Sequence, residues 1–109
     1  MIGIVAATQG EVDELIALLG ASRLCDDPFV TYSFEGGVLV LSEMGPRNAA
    51  RATEYLIDQH SPKTIVNLGI CGALSDEMQV GEVYRITAAV DENKGKTTCR
   101  PGAWCNLPT

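Results

Sequence analysis

The sequence predicts an α/β fold in which a mixed, largely parallel sheet is flanked by helices. A continuous apolar run, IGIVAA at residues 2–7, is typical of a strand that is covered on both faces. Two later segments have apolar residues at helical spacing, and further strand-like runs lie between and after them. Strands that alternate with helices in this way favour an α/β sheet over an all-β or all-α fold.

Composition limits the size of the fold and the kind of partner. The 109 residues are enough for one domain with a modest core. With 8 Lys+Arg against 14 Asp+Glu, the net charge is -6, which argues against nucleic acid and anionic membranes as partners. The opening MIGIVAATQGE has neither a cationic lead nor a long apolar run, so we expect a soluble, cytoplasmic protein.

The first strand is followed by a helical pattern. The IGIVAA run is predicted to be a central strand of the sheet. In TQGEVDELIALLG the apolar residues recur at helical spacing, acidic residues fill the first turn, and Gly20 is suited to a left-handed end.

The middle of the chain predicts a hairpin and a second helix. FVTYSF and VLVLSE are rich in β-formers and are separated by EGG, whose glycines tolerate positive φ. GPRNAARATEYLIDQH has proline at a first helical position and an apolar stripe along one face. TIVNLG is predicted to be a buried strand, and GEVYRITAAV another after the loop SDEMQV. The predicted order is therefore β-α-β-β-α-β-β.

Residues 91–109 differ in composition from the rest and predict an irregular tail. They are polar, with two prolines and a lone Trp104. Cys99 and Cys105 lie in this tail and would be able to pair in an oxidising environment, although reduced thiols are the default.

The cysteines and the histidine give no metal pattern. Cys25, Cys71, Cys99 and Cys105 have no CxxC spacing, and His60 follows the pattern of the second helix. The sequence therefore predicts no metal site, and it indicates no cofactor.

Small or polar residues follow several of the predicted strands. GICGAL comes after TIVNL, AATQGE after the first strand, and SEMGPRN after the hairpin. Ligands of open α/β sheets lie beyond the carboxyl ends of strands, where small residues let them approach the backbone. A small-molecule crevice is one explanation, and close packing of a strand end on the second helix is the other. GICGAL matches neither GxGxxG nor a P-loop.

Three segments in the same order resemble the nucleoside phosphorylase and nucleosidase superfamily, which includes the methylthioadenosine/S-adenosylhomocysteine nucleosidases. They are IGIVAATQGEV, SEMGPRNAARAT and IVNLGICGALSDEMQVGEVY. The resemblance covers residues 1–90, which would form the amino-terminal half of a shortened three-layer domain. It implies cleavage of the N-glycosidic bond of a purine-type nucleoside.

The resemblance assigns the water-activating glutamate to Glu11. A carboxylate suits an oxocarbenium-like sugar, since it stabilises positive charge and accepts a proton from attacking water. The same glutamate also fits a capping box with Thr8, a purely structural role. The resemblance also implies substrate contacts at Ala7, Thr8, Ile70, Cys71 and Gly72.

Departures from the family pattern favour hydrolysis over phosphorolysis. Asn67 stands where phosphorylases tend to have an arginine, and Ile70 where both branches often have a serine. Arg47, at the start of the second helix, is either a weak anion-binding residue or a solvated surface residue. Cys71 is also suited to being a buried small hydrophobe.

The resemblance further implies that the site is incomplete in this chain alone. Family members are longer, and their second half supplies a methionine-glutamate pair for the ribose and the aspartate that protonates the base. Two functions remain: part of a hydrolytic nucleosidase, or a non-catalytic nucleoside-binding or assembly module. In either case we expect a homo-oligomer, or a complementing second half, to cover exposed sheet.

Overall fold

The computed structural model describes residues 1–70, 72–91 and 95–98. In this part of the chain, a five-stranded sheet with a helix on each face is followed by a separate two-stranded hairpin. A 3-10 turn at Gln9–Glu11 joins the first strand to the first helix. The elements in chain order are β1 (Ile2–Ala6), α1 (Asp13–Leu19), β2 (Ser22–Cys25), β3 (Thr31–Phe34), β4 (Gly37–Leu41), α2 (Pro46–His60), β5 (Thr64–Asn67), β6 (Ala88–Asp91) and β7 (Gly95–Thr98).

The large sheet is mixed, as predicted. Its strand order is β2-β3-β4-β1-β5. β1 runs parallel to both β4 and β5, whereas β3 is antiparallel to β2 and β4. β1 therefore has a partner on each side, which confirms it as an interior strand, and the carboxyl ends of β1, β4 and β5 meet at one edge of the sheet.

The two faces of the sheet carry separate apolar clusters. Alternate residues of β1 and β4 point to opposite faces, so Ile4 and Leu39 pack with Val12 on the α1 side. On the α2 side, Ala52 and Leu56 pack against the other set of alternating strand residues, which are Val5, Val38 and Val40. Full burial of a leucine such as Leu56 is worth roughly 1.5–3 kcal/mol relative to exposure.

The predicted ends of the helices and the hairpin are confirmed. Gly20 ends α1 with φ 62°, and Gly36 has φ 97° in the turn between β3 and β4. Pro46 is the first residue of α2, where its missing N–H costs no hydrogen bond. The two glycines adopt the positive φ that these turns require, and the proline has the fixed φ of a first helical residue.

β5 differs from the prediction of a buried strand. It pairs only with β1 in the sheet, and its residues Thr64 and Asn67 are exposed while the two between them are half-buried. The apolar run was consistent with an interior strand, but an edge strand needs one apolar face only.

Further differences concern strands that the sequence pattern misplaced. SRLC forms β2, which was not predicted because its residues are largely polar and exposed. Residues 81–87, predicted to be part of a strand, do not form one, and β6 begins only at Ala88. Its partner β7 lies within residues 91–109, which were predicted to be an irregular tail. Residues 99–109, including Cys99, Trp104 and Cys105, lie outside the described residues.

Candidate functional site

The exits of the parallel strands are joined by backbone hydrogen bonds. Ser42, just after β4, donates its N–H to Ala6 O at 2.8 Å, and Glu43 donates to Ala7 O at 2.9 Å. On the other side of β1, Leu68 donates to Val5 O at 3.0 Å. The segments after β1, β4 and β5 therefore lie side by side at one edge of the sheet, as the strand-exit motifs predict.

Glu11 lies at this edge and contacts two segments. Its Oε1 accepts hydrogen bonds from the N–H and the hydroxyl of Thr8, each at 3.2 Å, within a capping box across the 3-10 turn. Its Oε2 accepts the N–H of Ile70 at 3.0 Å. The carboxylate thus connects the turn after β1 to the segment after β5, and it performs the predicted capping role at the same time.

A cavity of about 430 Å³, called here the rim cavity, opens at the strand exits. Its volume is in the range of small-molecule sites. The lining combines the exits of β1, β4 and β5 with the first turns of α2: Ala7, Glu11, residues 42–43, residues 45–46, Ala49 and residues 67–69.

A second cavity of about 580 Å³, called here the α1 cavity, lies on the other side of Glu11. It shares Glu11 and residues 67–69 with the rim cavity and extends between α1 and residues 78–84. Several apolar side chains face it, among them Leu18, Val80 and Val83, which are largely exposed. Glu11 therefore borders both the cavity at the strand ends and the cavity beside α1.

The predicted site residues differ in how they lie relative to the two cavities. Ala7 and Glu11 line the rim cavity, and Ile70, a residue that is 71% exposed, lines the α1 cavity. Thr8 is half-buried behind Glu11 and contacts its carboxylate. Gly72 and Arg47 are exposed and line neither cavity, and Cys71 lies outside the described residues.

Several residues of the rim cavity were not singled out by sequence reasoning. Glu43 has φ 69°, an uncommon conformation for a residue with a side chain, and it borders the cavity beside the glycine that precedes α2. Gly69 also lines the cavity, as does Asn67, which the sequence singled out only as a departure from the phosphorylase pattern. SEMGPRN pointed to this edge as a segment, but no local pattern shows which of its side chains reaches a cavity built by three strands.

Two properties of the described residues bear on metal and membrane binding. Within residues 1–70, 72–91 and 95–98, no three His, Cys, Asp or Glu side chains are grouped closely enough to hold a metal ion. Across the same stretch, neither helix has the length and apolar content that crossing a bilayer requires.

A sheet with a helix on each face and a cavity at its parallel strand ends places the chain in the class of open α/β folds, whose ligands bind at that edge. The model of the phosphorylase superfamily matches residues 1–105, and the chain belongs to this family. That match continues past residue 90, where the recognisable motifs end.

Related proteins are nucleosidases by name. The chain is 36% identical to the 5'-methylthioadenosine/S-adenosylhomocysteine nucleosidase of Marinomonas sp. over 90 residues, which are 76% of this chain and 38% of the relative. It is 35% identical to the enzyme of the same name from Staphylococcus carnosus over 96 residues, 82% of this chain and 41% of the relative. The chain thus spans about two-fifths of the length of these curated relatives.

Solved structures agree with the fold. The nucleosidase of Colwellia psychrerythraea in complex with adenine superposes with a TM-score of 0.64 at 30% identity, over 74% of this chain and 36% of that one. The Neisseria meningitidis nucleosidase in complex with methylthio-immucillin-A gives a TM-score of 0.64 at 27% identity, over 74% of this chain and 37% of that one. This chain therefore contains part of the three-layer scaffold of the nucleosidases.

Proposed function

We propose that this chain forms part of a site that hydrolyses the N-glycosidic bond of a purine-type nucleoside. The observation that supports it best is the position of Glu11, whose carboxylate borders the rim cavity and accepts the N–H of Ile70 at 3.0 Å. This contact unites the acid after β1 with the small-residue segment after β5, the two features that the family resemblance relies on.

Glu11 would act as the general base. In the proposed reaction a water oxygen attacks the sugar carbon, the bond from that carbon to the base nitrogen breaks, and Glu11 accepts the proton that the water loses. Its negative charge also stabilises the oxocarbenium-like sugar. The base leaves with the bonding electrons and takes a proton from a donor that the resemblance assigns to the second half of longer family members.

The proposed substrate is a neutral purine nucleoside such as 5'-methylthioadenosine or S-adenosylhomocysteine. The names of the relatives support this class, and so do the adenine and methylthio-immucillin-A in the two structures above. Ala7 and Gly69 give a lining with little side chain, which allows a ligand to reach the backbone. Thr8, Ile70, Cys71 and Gly72 remain proposed substrate contacts, and Arg47 a proposed weak anion contact.

Replacing Glu11 tests the proposal. Adenine release from 5'-methylthioadenosine should be measured for this chain alone and for the longest product of its gene. In whichever form is active, Glu11→Gln should lower the rate by about a hundredfold or more, because general-base catalysis contributes that much. Asp13→Asn, an exposed carboxylate two residues away, is the matched control and should leave the rate nearly unchanged.

The hydrogen bonds that the Glu11 carboxylate already accepts favour a second function, binding without catalysis. Both of its oxygens already accept hydrogen bonds from the protein, and an exposed Ile70 stands where the family often has a hydroxyl. A nucleoside-binding or assembly module without turnover would tolerate both features. Calorimetry showing adenosine binding without adenine release would support the module, whereas release that Glu11→Gln abolishes would exclude it.

The proposal extends to location and assembly. The acidic composition is consistent with a cytoplasmic protein. The open edge of β5 and the exposed apolar residues near the α1 cavity support a homo-oligomer or a complementing second half. Either partner would cover sheet edge and bring further groups to the site.

A further inference from the structure

We propose that Glu43 sets the charge selectivity of the rim cavity, so that it accepts neutral or cationic ligands and rejects phosphate. The phosphate would be either a group on a nucleotide or a free co-substrate. The inference rests on the proposed function, because it specifies the class of ligand that the same cavity takes.

The backbone holds Glu43 in a fixed and unusual position. Its φ of 69° lies in the left-handed region, which favours glycine. Its N–H donates to Ala7 O at 2.9 Å, and its carbonyl oxygen accepts the hydroxyl of the nearly buried Ser42 at 2.7 Å. The surrounding structure therefore determines where the side chain begins, at the border of the cavity.

The local turn does not require this glutamate. A glycine would adopt the same φ without the steric cost of a Cβ, so the side chain does not improve the stability of the turn. Residues that persist in such a conformation tend to cluster at functional sites. The carboxylate is therefore better explained by the cavity it borders than by the fold.

The charges of the rim cavity are of one sign. Glu11 and Glu43 supply carboxylates, whereas no lysine or arginine is found among the described residues that line it. Among the residues that the structure describes, Glu43 has no salt-bridge partner. A phosphate entering the cavity would meet two like charges, while a nucleoside would meet two acceptors for its hydroxyl groups.

Two titrations of the whole chain test the inference. Inorganic phosphate is added to 15N-labelled protein, and the amide signals of Gly45, Ala49 and Gly69, which line the cavity, are followed. Dissociation constants of adenosine and of adenosine 5'-monophosphate are then compared. The variants are Glu43→Gln and Glu43→Gly, and Glu35→Gln, an exposed carboxylate in the turn at the opposite end of β4, is the matched control.

We expect phosphate to shift the amide signals of the cavity residues in Glu43→Gln and Glu43→Gly. Wild type and Glu35→Gln should bind phosphate about tenfold more weakly than these two variants do. The preference for adenosine over its monophosphate should fall by about tenfold in Glu43→Gln, with a smaller change at high salt because charges are screened.

Equal phosphate responses in wild type and Glu43→Gln, including equal absence of any response, would overturn the inference. A response that depends on Glu43, together with no adenosine binding by any variant, would support the charge selectivity and contradict the proposed function. The two failures are therefore distinguishable.

Discussion

The carboxylate of Glu11 uses its two oxygens for different contacts. Oε1 closes the turn after β1 through Thr8, and Oε2 holds the segment after β5 through Ile70. Hydrogen bonds to a charged group contribute about 1.5–3 kcal/mol each when both partners are satisfied. Because a carboxylate offers about four lone-pair positions, the capping contact leaves room for a further donor such as water. The structural and the proposed catalytic role are thus compatible.

Gly3 is the residue at which an added methyl group should be least tolerated in β1. A Cβ built there would overlap Leu56 Cδ2, and it would lie 3.1 Å from Pro62 Cγ. Leu56 is fully buried, so the core has little space to adjust. We expect Gly3→Ala to lower the free energy of unfolding by about 1–3 kcal/mol.

Gly10→Ala is the matched control for that prediction. A Cβ at Gly10 has no atom within 4 Å and its backbone has no positive φ, so its substitution should be neutral or slightly stabilising. Urea denaturation of the two variants and wild type measures the difference. Equal stability of Gly3→Ala and Gly10→Ala would show that β1 and α2 are less closely packed than the structure indicates.

Single residues of the site were predictable to different degrees. Ala7 and Glu11, which the family resemblance assigns to the site, both line the rim cavity, and their roles there remain predictions. Glu43 was not singled out, since its position at the cavity depends on a hydrogen bond to Ala7, which is distant in the sequence. Arg47 and Gly72 line neither cavity, and their proposed contacts remain predictions.

At the scale of elements, segments that contain their own signals were predicted best. α2 has a proline at its start and an apolar stripe, and the β3–β4 hairpin has a glycine in its turn, so both form where expected. β2 is different, because its polar residues Ser22 and Arg23 form a strand only by pairing with β3. β6 also owes its extent to a partner, β7. Sequence periodicity does not contain such tertiary pairing.

The contact between β2 and α2 predicts a pH dependence. Tyr55 of α2 has its OH 3.5 Å from the thiol of Cys25 at the end of β2. That hydrogen bond, followed by burial, raises the pKa of the Tyr55 phenol above its usual 10.0. Because the pKa of Tyr55 is higher in the folded state, the stability that its neutral phenol contributes is fully present below pH 10.0. This stability is lost as the pH rises through the raised pKa of the folded state.

Replacing Cys25 should lower the pKa of Tyr55 toward its usual value. Cys25→Ala removes the first cause of the shift, whereas Cys25→Ser keeps a hydrogen-bonding group and should have a smaller effect. Ultraviolet absorbance of tyrosinate during an alkaline titration measures the change, and Tyr55→Phe identifies which transition belongs to Tyr55. An unchanged titration in Cys25→Ala would show that burial alone sets the shift.

At the scale of the whole molecule, the two edges of the large sheet are unlike each other. The β2 edge has the charged Arg23, paired with Asp26 at 2.6 Å, and a register irregularity between Arg23 and Cys25. Charges and bulges of this kind oppose pairing with another strand. β5 has the sequence TIVN, has neither feature, and pairs only with β1 among the described strands. The β5 edge is therefore the one that should attract a further strand.

We expect the chain to self-associate through β5 as its concentration rises. Thr64, which is exposed on β5, offers a position where a charge should prevent this. Thr64→Lys should shift the population toward the monomer, because a lysine on an edge strand disfavours the addition of a second strand. Sedimentation equilibrium over a range of concentrations measures the shift.

Ser22→Lys makes the same change of charge on the opposite edge and should leave the association constant unchanged, since β2 is exposed but already protected. Comparing the two variants separates an effect of the edge from an effect of net charge, because each raises the charge of the acidic chain by one unit. Equal effects of both lysines would indicate association driven by overall charge rather than by β5. A wild-type chain that stays monomeric at every concentration would contradict the prediction that β5 drives self-association.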